Sequence, residues 1–424
     1  MILFSRGSRA TEFSPGEVRA ALFAAFDRLG ARRRVLAVPP DFTRYHSYSG
    51  VLTEMAWEYY GNCLADVLPA TGTHRAMSDE EIGIMFGKVP RALFRVHDWR
   101  HGLATLGEVP SSFVKEVSDG KADYTIPIQI DNLIAHGSHD LILSIGQIVP
   151  HEVIGMAGYN KNIFVGTGGA EGIDKTHFLG AVYGMERMMG RAGGPVRRVL
   201  DYASEHFANH LPIVYVLTVV GKNDRGNLVI RGLFIGDSVE CFQQAVALSV
   251  SVNIQLLDEP VRKAVVYLDP SEFKSTWLGN KSIYRTRMAL ADAAELIVLA
   301  PGVTRFGEDD NIDRLIRKYG YRGTPRVLEL VQTQEDLRQS LGTAAHLIHG
   351  SSEGRFTVTY SPGCLSKQEI EGVNFRYGDM RALTKKYDPE VLKDGMNTLA
   401  DGEEIFFISN PALGLWACLE RFEK

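Results

Sequence analysis

The sequence predicts an α/β protein built from two α/β domains with a cofactor and substrate cleft between them. Three observations lead there. Apolar runs alternate with helical stretches along the chain, the mark of a parallel or mixed sheet covered by helices. The rhythm pauses in LLDEPVR and then restarts, which sets domains at 1–257 and 258–424. A length of 424 residues suits two domains at roughly 100–200 residues each.

Each element has its own signal. Ser14 caps a helix that Pro15 opens and that runs to Gly30. RVLAVPPDFTR reads as a buried strand ending in a loop at Pro39. A helix through LTEMAWEYYGNCLADVL follows, then a polar loop at TGTHR. Ser78 and Glu81 form a capping box for the next helix. DLILSIG (140–146) is a strand, VPHEVIGMAGYNK a loop, and NIFVGTGG (162–169) a strand with a glycine loop. Helices are expected near 175–190, 195–208 and 238–252, with a hairpin turning at Lys222–Gly226 between the last two. KAVVYLD, ELIVLAPG, RFTVTYSP and EEIFFISN supply strands of the second domain, and the last helix is a candidate for returning to the first.

Composition narrows the function. Hydrophobic residues at 45% and charged residues at 23% are ordinary for a globular chain. Lys+Arg 46 against Asp+Glu 51 gives a net charge of −5, so no nucleic-acid partner is expected. No apolar run reaches the roughly 18 residues of a membrane span. The first residues lack a secretion-signal layout, which predicts a cytoplasmic protein with no membrane association. Cys63, Cys241, Cys364 and Cys418 form no CxxC pair, against a disulfide framework or a cysteine zinc site.

The polar residues cluster by position. Three apolar runs of the first half each end in a loop dense with chemistry: Asp41, Arg44 and His46; His74 and Arg75; His151 and Lys161. His177 follows in GIDKTHF. Ligands of open α/β sheets bind outside the carboxyl ends of the strands, so these loops can converge. Taken singly, each residue has an ordinary reading. Asp41 and Arg44 suit a local salt bridge, Lys161 a solvated lysine, and GTGGAEG (166–172) a turn or an anion nest. His46, His97, His101, His136, His139, His206, His210, His346 and His349 read as surface or locally bonded groups. Neither a Rossmann nor a Walker fingerprint is met.

In order and spacing these loops resemble the lactate racemase family, the nickel-pincer-nucleotide-dependent 2-hydroxyacid racemases and epimerases. Asp41-Phe-Thr-Arg44 matches its first loop, Gly72-Thr-His74-Arg75 its second, and Pro150-His151 its third. Lys161 stands ten residues past His151 and His177 sixteen past Lys161, as in the family. The resemblance implies that Lys161 carries the nickel-pincer nucleotide covalently, that His177 ligates its nickel, and that His74 and His151 are the catalytic bases. It implies that Arg44 grips the substrate carboxylate. Asp41, Gly168 and Gly169 are then candidates for holding the cofactor, the two glycines at its phosphate. The other three nickel positions come from the cofactor, so one protein imidazole suffices. The implied partners are a small-molecule 2-hydroxyacid and the enzymes that make the cofactor.

The pattern also breaks. Where the family reads PHFxAGFSGGxK, this chain has Glu152, Tyr159 and Asn160 at apolar or glycine positions. The family's Tyr-Gln-x-x-Lys helix becomes Tyr284-Arg285-Thr286-Arg287-Met288. Tyr284, Arg285 and Arg287 are the candidates for substrate contact there, with a solvated helix face as the ordinary alternative. The expectation is a racemase or epimerase for a 2-hydroxyacid other than lactate. The alternatives are a non-catalytic carrier of the same nucleotide and a metal-dependent hydrolase, for which no compact ligand set is present.

Overall fold

A computed structural model of the chain describes residues 1–423. The chain divides into two compact units, Met1–Leu179 with Met188–Asn253, and Gly180–Arg187 with Ile254–Lys424. Each is α/β.

The first unit is built on a six-stranded sheet in the order Ile2–Gly7, Leu228–Gly236, Ile213–Lys222, Leu141–Gln147, Val35–Val38, Leu64–Val67. The first three strands are antiparallel neighbours and the last four run parallel. Val35–Val38 is buried at every position, as a central parallel strand must be. Ser14 accepts from the Glu17 amide while Glu17 accepts from the Ser14 amide, and Pro15 supplies a preset φ. The helix Pro15–Leu29 so started buries Val18, Leu22 and Phe26 in a core with Ala37, Leu143 and Val216.

The strand Val35–Val38 positions the site. It pairs with Leu64–Val67 on one side and Leu141–Gln147 on the other, all parallel. Chain order reverses there, which opens a crevice at the carboxyl ends of the central strands.

The second unit has its own six-stranded sheet, ordered Arg376–Tyr377, Thr357–Pro362, Leu290–Ala300, Val261–Tyr267, Glu404–Ile408, Gly395–Thr398. Only the last edge pairs antiparallel. Val265, Ile297, Leu299 and Phe407 lie in its core. The strand Leu415–Cys418 pairs with Ile254–Leu257, and the last helix, Leu419–Glu423, stays with this unit rather than returning to the first. No helix among the described residues is long and apolar enough to cross a membrane.

Two expectations fail for identifiable reasons. The helix expected through LTEMAWEYYGNCLADVL stops at Tyr60, because Gly61 takes φ +52° and turns the chain. LADV beyond it is the edge strand Leu64–Val67, too short to show a period of its own. NIFV is not a strand; Lys161–Phe164 is one helical turn, buried almost all round, and a short apolar run cannot reveal which it is. The hairpin Leu103–Val109 with Ile126–Asp131 had no reading at all.

The N-terminal cap gives a direct test. Ser14→Ala should lower stability by about 1 kcal/mol and move the first urea transition to lower concentration. An unmoved transition would show that the capping box contributes nothing to the fold.

Candidate active site

Three loops leave the carboxyl ends of the parallel strands. After Val35–Val38, Pro39 and Pro40 lead into a 3-10 turn, Phe42–Ser47, which Asp41 caps by accepting from the Thr43 amide at 3.1 Å. Asp41 is buried and Arg44 partly exposed. The expected Asp41–Arg44 salt bridge is not formed: the Asp41 carboxylate instead meets His74 Nδ1 at 2.7 Å. Among the described residues no ion pair or side-chain hydrogen bond engages the Arg44 guanidinium.

His74 lies on the loop after Leu64–Val67. That loop is stitched to its neighbours by the Ala70 amide on the Pro39 carbonyl and the Gly72 amide on the Gly166 carbonyl, each 2.7 Å. Gly72 has φ +58°, a conformation that an ordinary side chain would strain.

The third loop follows Leu141–Gln147 and folds into a small hairpin pairing Pro150–His151 with Gly155–Met156. The Val153 amide donates to His151 Nδ1 at 3.1 Å. Lys161 opens the helical turn beyond. Its neighbour Asn162 points the other way and donates to the Val38 carbonyl at 2.7 Å and to Ser144 Oγ at 3.2 Å. One amide therefore ties the lysine turn to both central strands.

The residues that broke the family pattern are built into this loop. Tyr159 has φ +58°, in the left-handed region that a glycine at the same place adopts without cost. Its ring stacks on Phe242 at 4.8 Å and packs on Tyr215 at 4.3 Å, which holds the strained backbone. Asn160 donates to Asp201 at 2.7 Å and Ser204 at 3.1 Å, and accepts from Arg197. Arg197 is fully buried, donates to the Met156 carbonyl at 2.8 Å, and lies over Phe242. Desolvation pushes its pKa down to about 10 despite Asp201 nearby. Sequence reasoning missed Arg197, Asp201 and Asn162. The signal for the first two was weak but present: in PVRRVLDYASEHF, Arg197, Asp201 and Ser204 share a helix face with Val196 and Leu200.

The charges converge on Lys161. Its amine is pushed down to about 8, first by desolvation, then by the Arg44 charge, with Glu152 and Asp41 opposing. His177 is pushed down to about 4 by desolvation, with Lys161 and His74 adding to the effect and Glu152 opposing it. Burial alone would raise Asp41, but the His74 and Thr43 hydrogen bonds and the charges of His74 and Arg44 hold it below the usual carboxylate range. Lys161 and His177 are nonetheless partly exposed, so a ligand can reach both. His177 Nδ1 donates to the Ile173 carbonyl at 2.7 Å, which leaves the lone pair on Nε2. No group of three or more His, Cys, Asp or Glu able to hold a metal occurs among the described residues.

Other candidates are placed differently. A Cβ on Gly168 would lie 2.1 Å from the Phe164 carbonyl oxygen, and one on Gly169 2.2 Å from Gln129 Oε1. His97 Nε2 also donates to the Gly168 carbonyl at 3.1 Å. Packing therefore accounts for glycine at both positions. His97, His139 and His346 are buried rather than superficial, each in a hydrogen bond.

Of the Tyr284–Met288 stretch in the second unit, only Tyr284 is helical, at the end of Lys281–Tyr284, and Arg285 and Arg287 follow in the turn beyond it. All three candidates there are buried, so the solvated-face alternative is excluded. Arg287 pairs with Glu186 at 2.8 Å and donates to the Ser351 carbonyl, while Arg285 Nη1 donates to the Gly414 carbonyl at 3.3 Å. Arg287 thus has a carboxylate partner within its own unit, and Arg355 shares the same Glu186 oxygen at 3.3 Å. Tyr284 packs edge-on against His349.

The chain has been compared with known proteins. A family model described as the lactate racemase N-terminal domain matches residues 25–189. The structure is similar to a crystal structure of a protein from Thermotoga maritima, with a TM-score of 0.81 and 23% identity over 96% of this chain and 99% of that one. It is also similar to the lactate racemase apoprotein from Thermoanaerobacterium thermosaccharolyticum, with a TM-score of 0.69 and 15% identity over 97% of this chain and 94% of that one. At such identities these two likenesses concern the fold. No curated protein matches by sequence. The segment 25–189, which is similar to the lactate racemase N-terminal domain, contains Asp41, Arg44, His74, His151, Lys161 and His177.

Proposed function

We propose that this protein is a racemase or epimerase that inverts the carbinol carbon of a 2-hydroxyacid other than lactate, using a nickel-pincer nucleotide attached to Lys161. The observation that carries the reading is a lysine amine with a pKa near 8 in the same desolvated pocket as an imidazole held neutral. The residues fit the group. An amine so depressed is a nucleophile suited to the thioamide link. His177 offers a neutral Nε2 as a fourth nickel ligand whose other nitrogen is already fixed by a carbonyl.

The bound group would supply an electron-poor carbon that takes hydride from the carbinol carbon and returns it. The chain's own residues do the rest. Arg44, with no partner of its own, grips the substrate carboxylate in a planar, two-bonded fork. His74, oriented by Asp41, stands ready for the hydroxyl proton. His151 attends the oxygen of the reacting centre. Glu152 adds a carboxylate that accepts hydrogen bonds from further hydroxyls. A carrier that only stored the nucleotide would need no Asp41–His74 pair. Four free cysteines suit a cytoplasmic setting, where the cofactor-making enzymes are the partners.

Co-expression with cofactor-synthesis enzymes, followed by intact-mass measurement and peptide mapping, should place the adduct on Lys161. An adduct on Lys175, or full activity in Lys161→Ala, overturns the assignment. In the cofactor-free chain the same lysine should react with an amine acylating reagent as pH rises through about 8. At pH 7 about a tenth of it is neutral, against about one part in three thousand for an ordinary lysine. Because its folded pKa is depressed, its contribution to stability rises with pH between about 8 and 10.5. Labelling that waits until pH 10 would refute the depressed pKa.

His177→Ala should lower nickel content while leaving the organic adduct on Lys161. Equal nickel in variant and parent removes His177 from the coordination sphere.

The substrate test is a panel of single-enantiomer acids. A methyl side chain offers Glu152 no hydroxyl to accept from, whereas a polyol arm does. Polyhydroxylated 2-hydroxyacids should show higher kcat/KM than lactate, and Glu152→Leu should narrow the gap. Lactate as the best substrate would sink the pocket argument.

A further inference from the structure

His97 reads from the sequence as a surface or locally bonded group, outside the loops assigned to the site. In the structure it is buried and held at both ring nitrogens. Nδ1 meets the Asp131 carboxylate at 2.8 Å, and Nε2 meets the Gly168 carbonyl at 3.1 Å. We infer that His97 is a positioning residue. By clamping Gly168 to Asp131 it fixes the link between Lys161 and His177, and so the spacing at which the chain presents its amine and its imidazole. The inference rests on the racemase reading for what those two groups do, and on the clamp alone for where they stand.

The place of Gly168 gives the clamp its reach. Lys161 is on the helical turn Lys161–Phe164 and His177 on the helix Ala170–Tyr183, with residues 165–169 joining them. On one side the link continues the turn. The Gly166 amide donates to the Lys161 carbonyl at 3.0 Å and the Thr167 amide to the Ile163 carbonyl at 3.2 Å. On the other side the Ile173 amide donates to the Gly169 carbonyl at 3.0 Å, and the helix of His177 begins. The Gly168 carbonyl lies at that junction. A single helical turn has no stability of its own, so its far end must be held from outside.

The opposite jaw is fixed by its own contacts. Asp131 ends the strand Ile126–Asp131, where it pairs with Leu103 of the strand Leu103–Val109. Its other oxygen accepts from the Leu133 amide at 2.9 Å and caps the helix Asn132–His136. Backbone rests on backbone here. A Cβ on Gly168 would come within 3.4 Å of the Gln129 carbonyl oxygen, and one on Gly172 within 2.7 Å of the Pro127 carbonyl oxygen. The link and the start of the His177 helix therefore lie directly against the strand that Asp131 ends.

The ring supplies what this contact lacks. A carbonyl can only accept, so Nε2 carries a hydrogen. A second hydrogen lies between Nδ1 and Asp131 Oδ2, whichever of the two atoms holds it. An apolar side chain could fill the space, yet it would leave the Gly168 carbonyl and the Asp131 oxygen without this partner. Buried groups so deprived cost enough to shift the backbone toward water. Movement of the link loosens the turn before it and lets water reach the Lys161 amine.

The test reads Lys161 in the full-length chain without cofactor. In the parent its acylation should have a midpoint near pH 8, set by desolvation and by the charges of Arg44, Glu152, Asp41 and Arg197, none of which the variants change. His97→Leu donates nothing, and its midpoint should rise by about half a unit or more as the amine is rehydrated. His97→Gln removes the same ring, and any charge on it, but keeps a donor for the Gly168 carbonyl; its midpoint should stay near that of the parent. An unmoved midpoint in folded His97→Leu overturns the inference, and so does an equal rise in His97→Gln. In cofactor-loaded protein, nickel per Lys161 adduct should fall in His97→Leu and hold in His97→Gln; an unchanged ratio in His97→Leu overturns the claim on His177. Should His97→Leu not fold, long-range ¹H–¹⁵N correlation of the parent decides, with His97→Gln assigning the signal. A hydrogen on His97 Nε2 at pH 7 upholds the clamp, and a lone pair there overturns it. Failure of the parent to carry the adduct or to interconvert any acid would count against the racemase reading, while the Lys161 midpoints would still decide this one.

Discussion

Asn162 makes the hydrogen bonds on which the site's geometry depends. Its side-chain amide reaches the Val38 carbonyl at the end of one parallel strand and the Ser144 hydroxyl in the middle of its neighbour. The preceding residue is Lys161, so a lysine on a single helical turn is held over the strand ends. A four-residue helix has no stability of its own. The amide, the Gly72–Gly166 hydrogen bond and the buried faces of Ile163 and Phe164 are what keep it in place. With Lys161 so fixed, its amine is desolvated and lies within range of the Arg44 charge; these outweigh Glu152 and Asp41, and the depressed pKa is a consequence of where the turn is anchored.

The loop before that turn shows how a departure from the family pattern is accommodated. A tyrosine in the left-handed region costs on the order of 1 kcal/mol or more. Here the ring gains a stack on Phe242 and a contact with Tyr215, and Arg197 secures the backbone through the Met156 carbonyl. Arg197 is itself expensive to bury, which its lowered pKa expresses. Asn160, the backbone carbonyl and the faces of two rings compensate it. Tyr159, Asn160 and Arg197 are best understood as one unit, and a change at any one of them bears on the position of Lys161.

This explains what was legible in the sequence. Asp41, Arg44, His74, His151, Lys161 and His177 stood out because each follows an apolar run, at a spacing that chain order preserves. Arg197 and Asp201 lie well beyond that region, and their role exists only through the contacts they make with Asn160. The strand Leu64–Val67 was hidden because four residues abutting a helix show no period. The turn at Lys161 was misread because NIFV is apolar on every side, as a buried strand would be. Arg285 and Arg287 were read as substrate contacts from their place in a motif, and the motif could not reveal Glu186 or the Gly414 carbonyl waiting for them.

A motif gives residue types and spacing; it cannot say which nitrogen of a ring carries hydrogen. That information lies in the partner, and the two partners here are of opposite kind. Asp41 is a residue three positions after a strand and so belongs to the motif. The group facing His151 is a backbone amide, present whatever residue occupies position 153, and no sequence pattern records it. The hydrogen-bond geometry sets a carboxylate against His74 Nδ1 and a backbone amide against His151 Nδ1, a difference that only the folded chain creates.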